Sequence, residues 1–531
     1  VTQDFVQVFC EERDDAVYLG RRFGVFPIRD SVVELIVSHT GDDLTPKGKT
    51  YGLQKVAGQL GEHFEQLRGN NQNQNEKERI LLAAGWHVSA EVPNRHGMIT
   101  SISLPSLYGQ SSYLFRKGIS PAIGFYLIEI ELDEESTPRR LKKILPRFIP
   151  LGQYAQKDDH LVGAEMLNNG EGLDKKAHAM LALLIEQTPR SESDLATALG
   201  EHKSVVEKNI VALQKKGIHI EVREDTKRIH LFRDHRTSFP PIPGLDIASL
   251  LKHKRRYVVT SDIHLVSEQQ QPHLLSLVAK KAKEVQARAW IDGGDIMESP
   301  GPFGYRGHQL DTLSQNADDI VDYVVDRFRR CFAEADIQTI PKIGIGGNHP
   351  GWVRTASGHD IVKTVYEKLG ITYLDPLEGF AEDEGLKFYL LHPAGGVGYT
   401  ASQPLQKMTN FLLELSENAG VARTHIRLAG NMHVVCSLYY DNAFNVLLPT
   451  LKNLDDYHKG KSLASSRGFI VLETTHAEPK GPPTSFAVQY ISLAHEMRPN
   501  AFLDFHQWKI EKHKDDDKKK LFVPIVPPSK K

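Results

Sequence analysis

This sequence holds very little cysteine, and the scarcity excludes several classes at once. Three thiols, Cys10, Cys331 and Cys436, in 531 residues can build neither a disulfide framework nor a zinc knuckle, so the chain reads as a cytoplasmic protein of a reducing compartment. Neither charge sign dominates. The 65 Lys and Arg against 67 Asp and Glu leave a formal charge of −2, which excludes a protein held to nucleic acid by bulk charge but not one with a local basic face. No apolar run approaches the roughly 18 residues of a membrane span. The opening residues VTQDFVQVFCEERDD also lack a basic-then-apolar leader. What remains, 40% hydrophobic and 25% charged, is a foldable chain, long enough for about three domains.

A polar run at 70–75 (NNQNQN) divides the first half, because it cannot feed a core. Before it, in 1–69, residues 31–37 are apolar at helical spacing and 51–61 look like a short helix and turn. This region is therefore predicted helical, as a plain helical hairpin or a helix-turn-helix. From 79 to 170 the pattern becomes strand-like. Residues 98–104 form one such run, and FYLIEIEL (125–132) alternates apolar with acidic residues as a half-exposed strand does. A separate mixed α/β domain is predicted there, with no chemistry assigned to it.

Residues 174–234 are more legible. KAHAMLALLIEQ (176–187) is an amphipathic helix, Ser191 caps a short helix closed by Gly200, and HKSVVEKNIVALQKK (202–216) is a longer one closed by Gly217. Two strand-like runs follow, IHIEVRE and RIHLF. Three helices and a β-ribbon in this order resemble a winged helix-turn-helix. That resemblance implies a third helix in a major groove, with Lys203, Lys208 and Lys215 near phosphates and Arg223, Lys227 and Arg228 on the wing. A protein-docking module is the other reading, since eleven Lys and Arg stand against nine Asp and Glu over 174–233. A proline-rich connector, SFPPIPG (238–244), leads to the basic cluster KHKRR (252–256). The cluster is predicted beside the entrance of the site described next, as a phosphate-holding patch or as plain solvated surface.

The residues that carry chemistry lie between 257 and 435, each group just after a β-rich apolar run. Asp262 and His264 follow YVVT, Asp295 and Glu298 follow AWIDGG, Asn348 and His349 follow IGIGG, His392 follows KFYLL, and Asn431 and His433 follow IRLAG. Singly, each has an ordinary reading as a turn or a surface histidine. In sequence they are spaced by 33, 53, 44 and 41 residues from Asp262 through Asp295, Asn348 and His392 to His433, which suits strand–helix–strand repeats. Carboxylates, imidazoles and amides gathered at strand ends form a donor set for manganese, iron or zinc rather than calcium. Paired cations of that kind are what hydrolysis of an anionic phosphodiester needs.

Together these motifs resemble the calcineurin-like metallophosphoesterase superfamily over 257–495. The resemblance implies an α/β fold, a two-sheet β-sandwich flanked by helices, here preceded by an α+β region and the winged helix. It implies two divalent ions, manganese first and iron or zinc otherwise. Asp262, His264 and His433 would hold one, Asp295 would bridge, and Asn348 and His392 would hold the second. It further implies a bridging hydroxide as nucleophile and His349 as general acid to the leaving oxygen. Two departures stand out. Pro350 occupies the place of the acidic residue that commonly orients that histidine. Asn431 occupies the place of an imidazole ligand, which predicts a weaker second metal site. The stretches 445–454 and 467–475 resemble the closing strand pair of the DNA-repair exonuclease branch. Loop residues Phe303, Tyr305 and Trp352 are predicted either to stack on bases or to anchor loops, and Arg306 and Arg354 to hold phosphate. Residues 496–531 are predicted to be a solvated, charged tail.

The reading that results is a metal-dependent phosphodiesterase for nucleic acid, DNA foremost, cutting as an exo- or endonuclease with the winged helix positioning substrate. It has no membrane partner, and its N-terminal half is available to a second copy or another protein. A phosphodiesterase or phosphatase for nucleotides or small esters, and a catalytically silent scaffold, are the alternatives.

Overall fold

The computed structural model describes residues 23–28, 31–39, 51–68, 77–84, 88–95, 98–105, 122–151, 174–185, 190–215, 220–222, 228–231, 247–300, 312–393, 402–419, 423–455, 459 and 465–521. They belong to two compact units, one made of 1–104, 126–149 and 246–531, the other of 105–125 and 150–245.

The first half contributes strands β1 (Phe23–Pro27), β2 (Val33–His39), β3 (Glu78–Ala84), β4 (Ser89–Arg95), β5 (Met98–Ser103), β6 (Gly124–Leu132) and β7 (Leu141–Pro150). The second unit carries β8 (Arg190–Ser191), β9 (Ile220–Val222) and β10 (Arg228–Leu231). The remaining strands are β11 (His253–Thr260), β12 (Ala289–Asp292), β13 (Lys342–Gly344), β14 (Thr372–Tyr373), β15 (Glu378–Asp383), β16 (Leu386–Leu391), β17 (Ile426–Ala429), β18 (Cys436–Tyr440), β19 (Ala443–Leu447), β20 (Gly468–His476) and β21 (Pro483–Ser492).

Two mixed sheets organise the first unit. One runs β1-β2-β3-β5-β4-β18-β19-β17-β16-β15 and the other β14-β13-β12-β11-β20-β21-β7-β6. Alternation along β11 shows how they pack. Tyr257 and Val259 point into the core shared with Phe388, Leu428 and Phe444 of the other sheet. Val258, between them, points into the core shared with the helices Leu274–Glu284 and Ala317–Ala335. A strand buried on both faces in this way reads as a continuous β-branched run, which is what YVV is. The architecture is α/β, two sheets flanked by helices.

Several expectations are corrected here. Residues 31–37, read as helical, fall mostly within β2, which pairs in parallel with β3. VELIVS is rich in β-branched residues, and its buried positions Val33 and Ile36 fit a short apolar strand as well as a helix. Residues 51–61 belong to one longer helix, Tyr51–Arg68, so no helix-turn-helix forms among the described residues of 1–69. The stretch 79–150 is not a separate body either. β4 pairs with β18 and β7 with β21, so N-terminal strands extend both sheets. The segments 445–454 and 467–475 meet at a single parallel bridge, Thr450 to Arg467, with Gly468 N–H donating to Thr450 O at 2.8 Å, while the strands β19 and β20 themselves lie in different sheets. The last segment is only partly a solvated tail. In the helix Leu503–Leu521, Phe505 and Trp508 are buried against Tyr323, with ring centroids 5.0 and 5.3 Å away.

In the second unit, the helices Lys175–Ile185, Glu192–Leu199 and Lys203–Lys215 pack around Met180, Leu181, Leu195, Val206 and Leu213. Beside them lies a small antiparallel sheet of order β8-β10-β9. Ser191 and Asp194 form a reciprocal capping box at the start of the second helix, and Gly200 closes it with φ +66°. Lys203, Lys208 and Lys215 are exposed. Arg223 and Lys227 lie outside the described residues, as do Phe303, Tyr305, Arg306 and the run 70–75, and Arg228 is described only as part of β10. Among the described residues no helix is long and apolar enough to cross a membrane.

Candidate metal centre

Asp262 and His264 follow β11, Asp295 follows β12, Asn348 and His349 follow β13, His392 follows β16, and Asn431 and His433 follow β17. The backbone turns sharply at these points. Asp262, His264, Asp295, Asn431 and His433 all have positive φ, at 52°, 48°, 52°, 66° and 52°. Such backbone costs about 1–3 kcal/mol per residue outside glycine and persists only where its surroundings enforce it. Asp, Asn and His tolerate it best.

Here the loops bind one another. Asp262 N–H donates to Gly294 O, His264 N–H to Asp295 O and Asp295 N–H to Gly346 O, each at 2.9 Å. Two glycines leave room for the ligands. A Cβ on Gly347 would sit 2.2 Å from Asp295 Oδ1, and one on Gly294 would sit 2.6 Å from His392 Nδ1.

The side chains converge. Asp262, His264 and His433 place ligand atoms within 4.8 Å of one another, as do Asp262, Asp295 and His392, and also His264, Asp295 and His349. His433 Nε2 lies 3.1 Å from Asp262 Oδ1, and His392 Nε2 lies 3.0 Å from Asp295 Oδ2. Each imidazole is oriented from behind. His392 donates Nδ1–H to Gly293 O at 2.8 Å, and His264 Nδ1 lies 3.1 Å from Glu298 Oε2. Those bonds turn Nε2 of both rings inward, the usual way a protein fixes a metal-binding histidine.

A decisive observation is what stays unsatisfied. Buried His264 Nε2, Asp295 Oδ2, Asn348 Oδ1 and His392 Nε2 have no aligned hydrogen-bond partner. Orphaned polar atoms at this depth are costly, and those of His264, Asp295 and His392 belong to residues whose ligand atoms converge, which fits a divalent cation. The donors are imidazole nitrogen, carboxylate oxygen and amide oxygen, which suit manganese, iron or zinc.

The local field agrees. Burial penalises charge on every group here. Even so, the carboxylates of Asp295 and Asp262 hold His392 up at about 9. Burial works against the carboxylate of Asp262 too, yet His433, His392 and His264 keep it below the ordinary range. Asp292, at the end of β12, is pushed by burial up to about 7, while Gly294 N–H and the Tyr366 hydroxyl hydrogen-bond it.

Glu298 does more than its sequence position suggests. Its carboxylate is shared between His264 Nδ1 and His349 Nδ1, the latter at 2.5 Å. Thus Glu298 orients His349 where Pro350 cannot. Burial lowers the proton affinity of His349, but Glu298 and Asp295 outweigh it and hold the imidazole above its ordinary range. Lys452, which sequence reasoning missed, is buried with Nζ 3.7 Å from Glu298 Oε2 and 2.9 Å from Asp455 Oδ2. A lone lysine in PTLKNL gives no signal of this; only the fold brings it in.

Other predicted positions fare differently. Asn431 donates Nδ2–H to Pro393 O at 2.5 Å, while its backbone N–H bonds the Asp262 carboxylate. Trp352 packs on His349, ring centroids 4.5 Å apart. Arg354 sits half-buried in the helix Gly351–Ser357. The basic cluster 252–256 is not at the entrance. It occupies the first half of β11, so residues 257–261 separate it from Asp262. There Arg255 bonds the Asp383 carbonyl, and Arg256 bonds Glu473 at 2.6 Å.

No family model and no curated protein matches this chain. Solved structures do match in part. An archaeal phosphodiesterase is 13% identical, covering 41% of this chain and 92% of its own, with a TM-score of 0.23. Vps29 of Entamoeba histolytica, solved with zinc, is 10% identical over 44% of this chain and 99% of its own, at a TM-score of 0.22. A Thermotoga maritima protein solved in solution is 13% identical over 45% and 99%, at 0.23. Superpositions this loose leave the weight on the residues themselves: a buried, convergent set of carboxylate and imidazole donors at the strand ends of an α/β two-sheet fold.

Proposed function

We propose that this protein is a divalent-metal-dependent phosphoester hydrolase acting on the phosphodiesters of nucleic acid. The observation that carries the reading is the convergence of buried imidazole and carboxylate ligand atoms, several without an aligned hydrogen bond, beside a histidine clamped by a carboxylate. Asp262, His264 and His433 would hold one cation, and Asn348 and His392 a second. Asp295 lies close enough to both groups to be shared, and Asn431 is at most a weak ligand. Bound cations supply neutralisation of the phosphate oxygens and activation of water; manganese suits the donors best. The chain's own part is positional. Glu298 keeps His349 aligned and protonated, so that the imidazolium can give its proton to the departing oxygen.

Specificity for nucleic acid rests on the second unit. Lys208, Val211 and Lys215 lie three and four residues apart on one exposed helix face, with Val211 49% exposed in the middle. Lysines flanking an apolar side chain suit phosphates flanking a thymine methyl, and the capped three-helix unit with its small sheet is what a winged helix would look like.

The test is hydrolysis with manganese of bis-p-nitrophenyl phosphate and of labelled single- and double-stranded DNA. Cleavage of both supports the proposal. Cleavage of the small ester alone would reassign the protein to small phosphodiesters, and inactivity with metal bound would make it a scaffold.

A further inference from the structure

Lys452 is a charged side chain that the fold buries, 2% exposed, behind the metal centre. A buried charge is tolerated only where fixed partners surround it. Its Nζ lies 2.9 Å from Asp455 Oδ2 and 3.7 Å from Glu298 Oε2, and both of those carboxylates are buried too. The alternating charges of Asp455, Lys452 and Glu298 end on two imidazoles, His264 and His349, whose ring centroids are 4.8 Å apart.

The backbone presets this contact from both sides. Glu298 N–H donates to Leu265 O at 2.7 Å. Leu451 N–H donates to Asp262 O at 3.2 Å, and Asn453 N–H donates to Gln269 O at 2.9 Å. Between them, the Thr450 hydroxyl donates to Asp262 O at 2.6 Å and accepts Lys452 N–H at 3.0 Å. Lys452 and Glu298 are therefore laced to one loop, 262–269, which also carries the candidate ligands Asp262 and His264.

Within that frame the two oxygens of Glu298 have different tasks. Oε1 meets His349 Nδ1, and Oε2 meets His264 Nδ1 at 3.1 Å. The last torsion of a glutamate is broad, so a carboxylate held by two imidazoles alone can rock toward either ring. The ammonium lies beside Oε2, the oxygen that serves the metal ligand, and a compact point charge there fixes the rotation of the group.

We propose that Lys452 is a positioning residue of the metal centre: held by Asp455, it fixes the Glu298 carboxylate so that His264 faces the metal and His349 faces the leaving oxygen. At 2% exposure it does not meet substrate itself and acts through Glu298. Its effect on metal binding stands on the ligand set alone, whereas its effect on turnover rests on the hydrolase reading above.

The experiment is a double-mutant cycle of Lys452→Met and Glu298→Gln in the full chain, read by calorimetric titration with manganese and by kinetics at saturating manganese. Lys452→Met is expected to weaken manganese binding about tenfold. It should slow an alkyl phosphodiester about tenfold more than bis-p-nitrophenyl phosphate, with the change in kcat rather than KM, because a poor leaving group needs the aligned acid most. In the Glu298→Gln background Lys452→Met should add no further loss, since the carboxylate it fixes is gone. Lys452→Arg, which keeps the charge, should retain most of the manganese affinity. If Lys452→Met fails to fold, as judged by circular dichroism, Lys452→Gln must show the same loss. Unchanged manganese affinity in the neutral variant, or an equal loss with and without Glu298→Gln, would overturn the positioning role. A wild-type chain that binds manganese but cleaves no ester would refute the hydrolase reading instead, and the manganese cycle would still decide the role of Lys452.

Discussion

His349 and Glu298 lie 2.5 Å apart, Nδ1 to Oε1, and the other oxygen of the same carboxylate holds His264. One buried acid thus serves a candidate metal ligand and a candidate proton donor together. Glu298→Gln is expected to damage both functions: metal affinity falls about 10–100-fold, and turnover on esters with poor leaving groups falls by about 10² or more. His349→Ala should leave metal affinity intact and cause only the second loss. Calorimetric metal titration beside kinetics on p-nitrophenyl and alkyl esters separates them. Equal effects from the two variants would refute the dual role.

Because Glu298 and Asp295 hold His349 above the ordinary histidine range, its acid form survives to higher pH than a free imidazolium and is lost as pH rises through that elevated value. Rates on poor leaving groups should therefore decline on the alkaline side. The decline should vanish in His349→Ala. A pH–rate profile on an alkyl phosphodiester checks it.

Gly347 has φ +112° and no space for a Cβ beside Asp295. Gly347→Ala should disorganise the centre and lower bound metal well below the wild-type stoichiometry while far-ultraviolet circular dichroism is preserved. Gly351→Ala, where a Cβ meets nothing within 4 Å, is the control and should retain the metal. Elemental analysis after dialysis reads both.

Arg147, 1% exposed, is paired with Glu473, which also holds Arg256. Glu473→Gln removes the buried charge partner of that guanidinium, leaving it Glu129 at 3.5 Å, and should cost about 3 kcal/mol of stability at neutral pH. Burial raises the proton affinity of the Glu473 carboxyl, but Arg147 and Arg256 outweigh it and depress its value in the folded state. The stability it contributes is therefore complete above the unfolded glutamate value and fades as pH falls through the lower folded value. Urea unfolding of both proteins at pH 7 and pH 3.5 should show the gap narrowing in acid.

For the second unit, Lys208→Ala with Lys215→Ala should weaken DNA binding across all sequences. If each lysine contacts one phosphate, the slope of log affinity against log salt should fall by about 2 in magnitude. Fluorescence anisotropy over a salt series measures this, and an unchanged slope would place the nucleic acid elsewhere.

Much of this was legible before any coordinates. Asp262, Asp295, Asn348, His392 and His433 announce themselves because each follows a short apolar run, and the strands there do end where the runs end. Ser191 and Gly200 likewise mark their helix by local chemistry. Pairings between distant stretches were not legible. Nothing in SAEVPNR says that β4 will lie against β18, because registry between remote strands is a tertiary choice. The stretch 31–37 was misread because a short, largely apolar segment can satisfy both periodicities. Lys452 was invisible for a related reason: a charged residue gives no local sign that it will be buried.

The way β4 and β7 complete the two sheets bears on how the protein can be handled in the laboratory. A recombinant fragment beginning near residue 250 would keep every ligand of the metal centre, yet it would strip the neighbours from β18 and β21 and bare two hydrophobic borders. Such borders recruit other chains, so the truncated protein would be expected to precipitate.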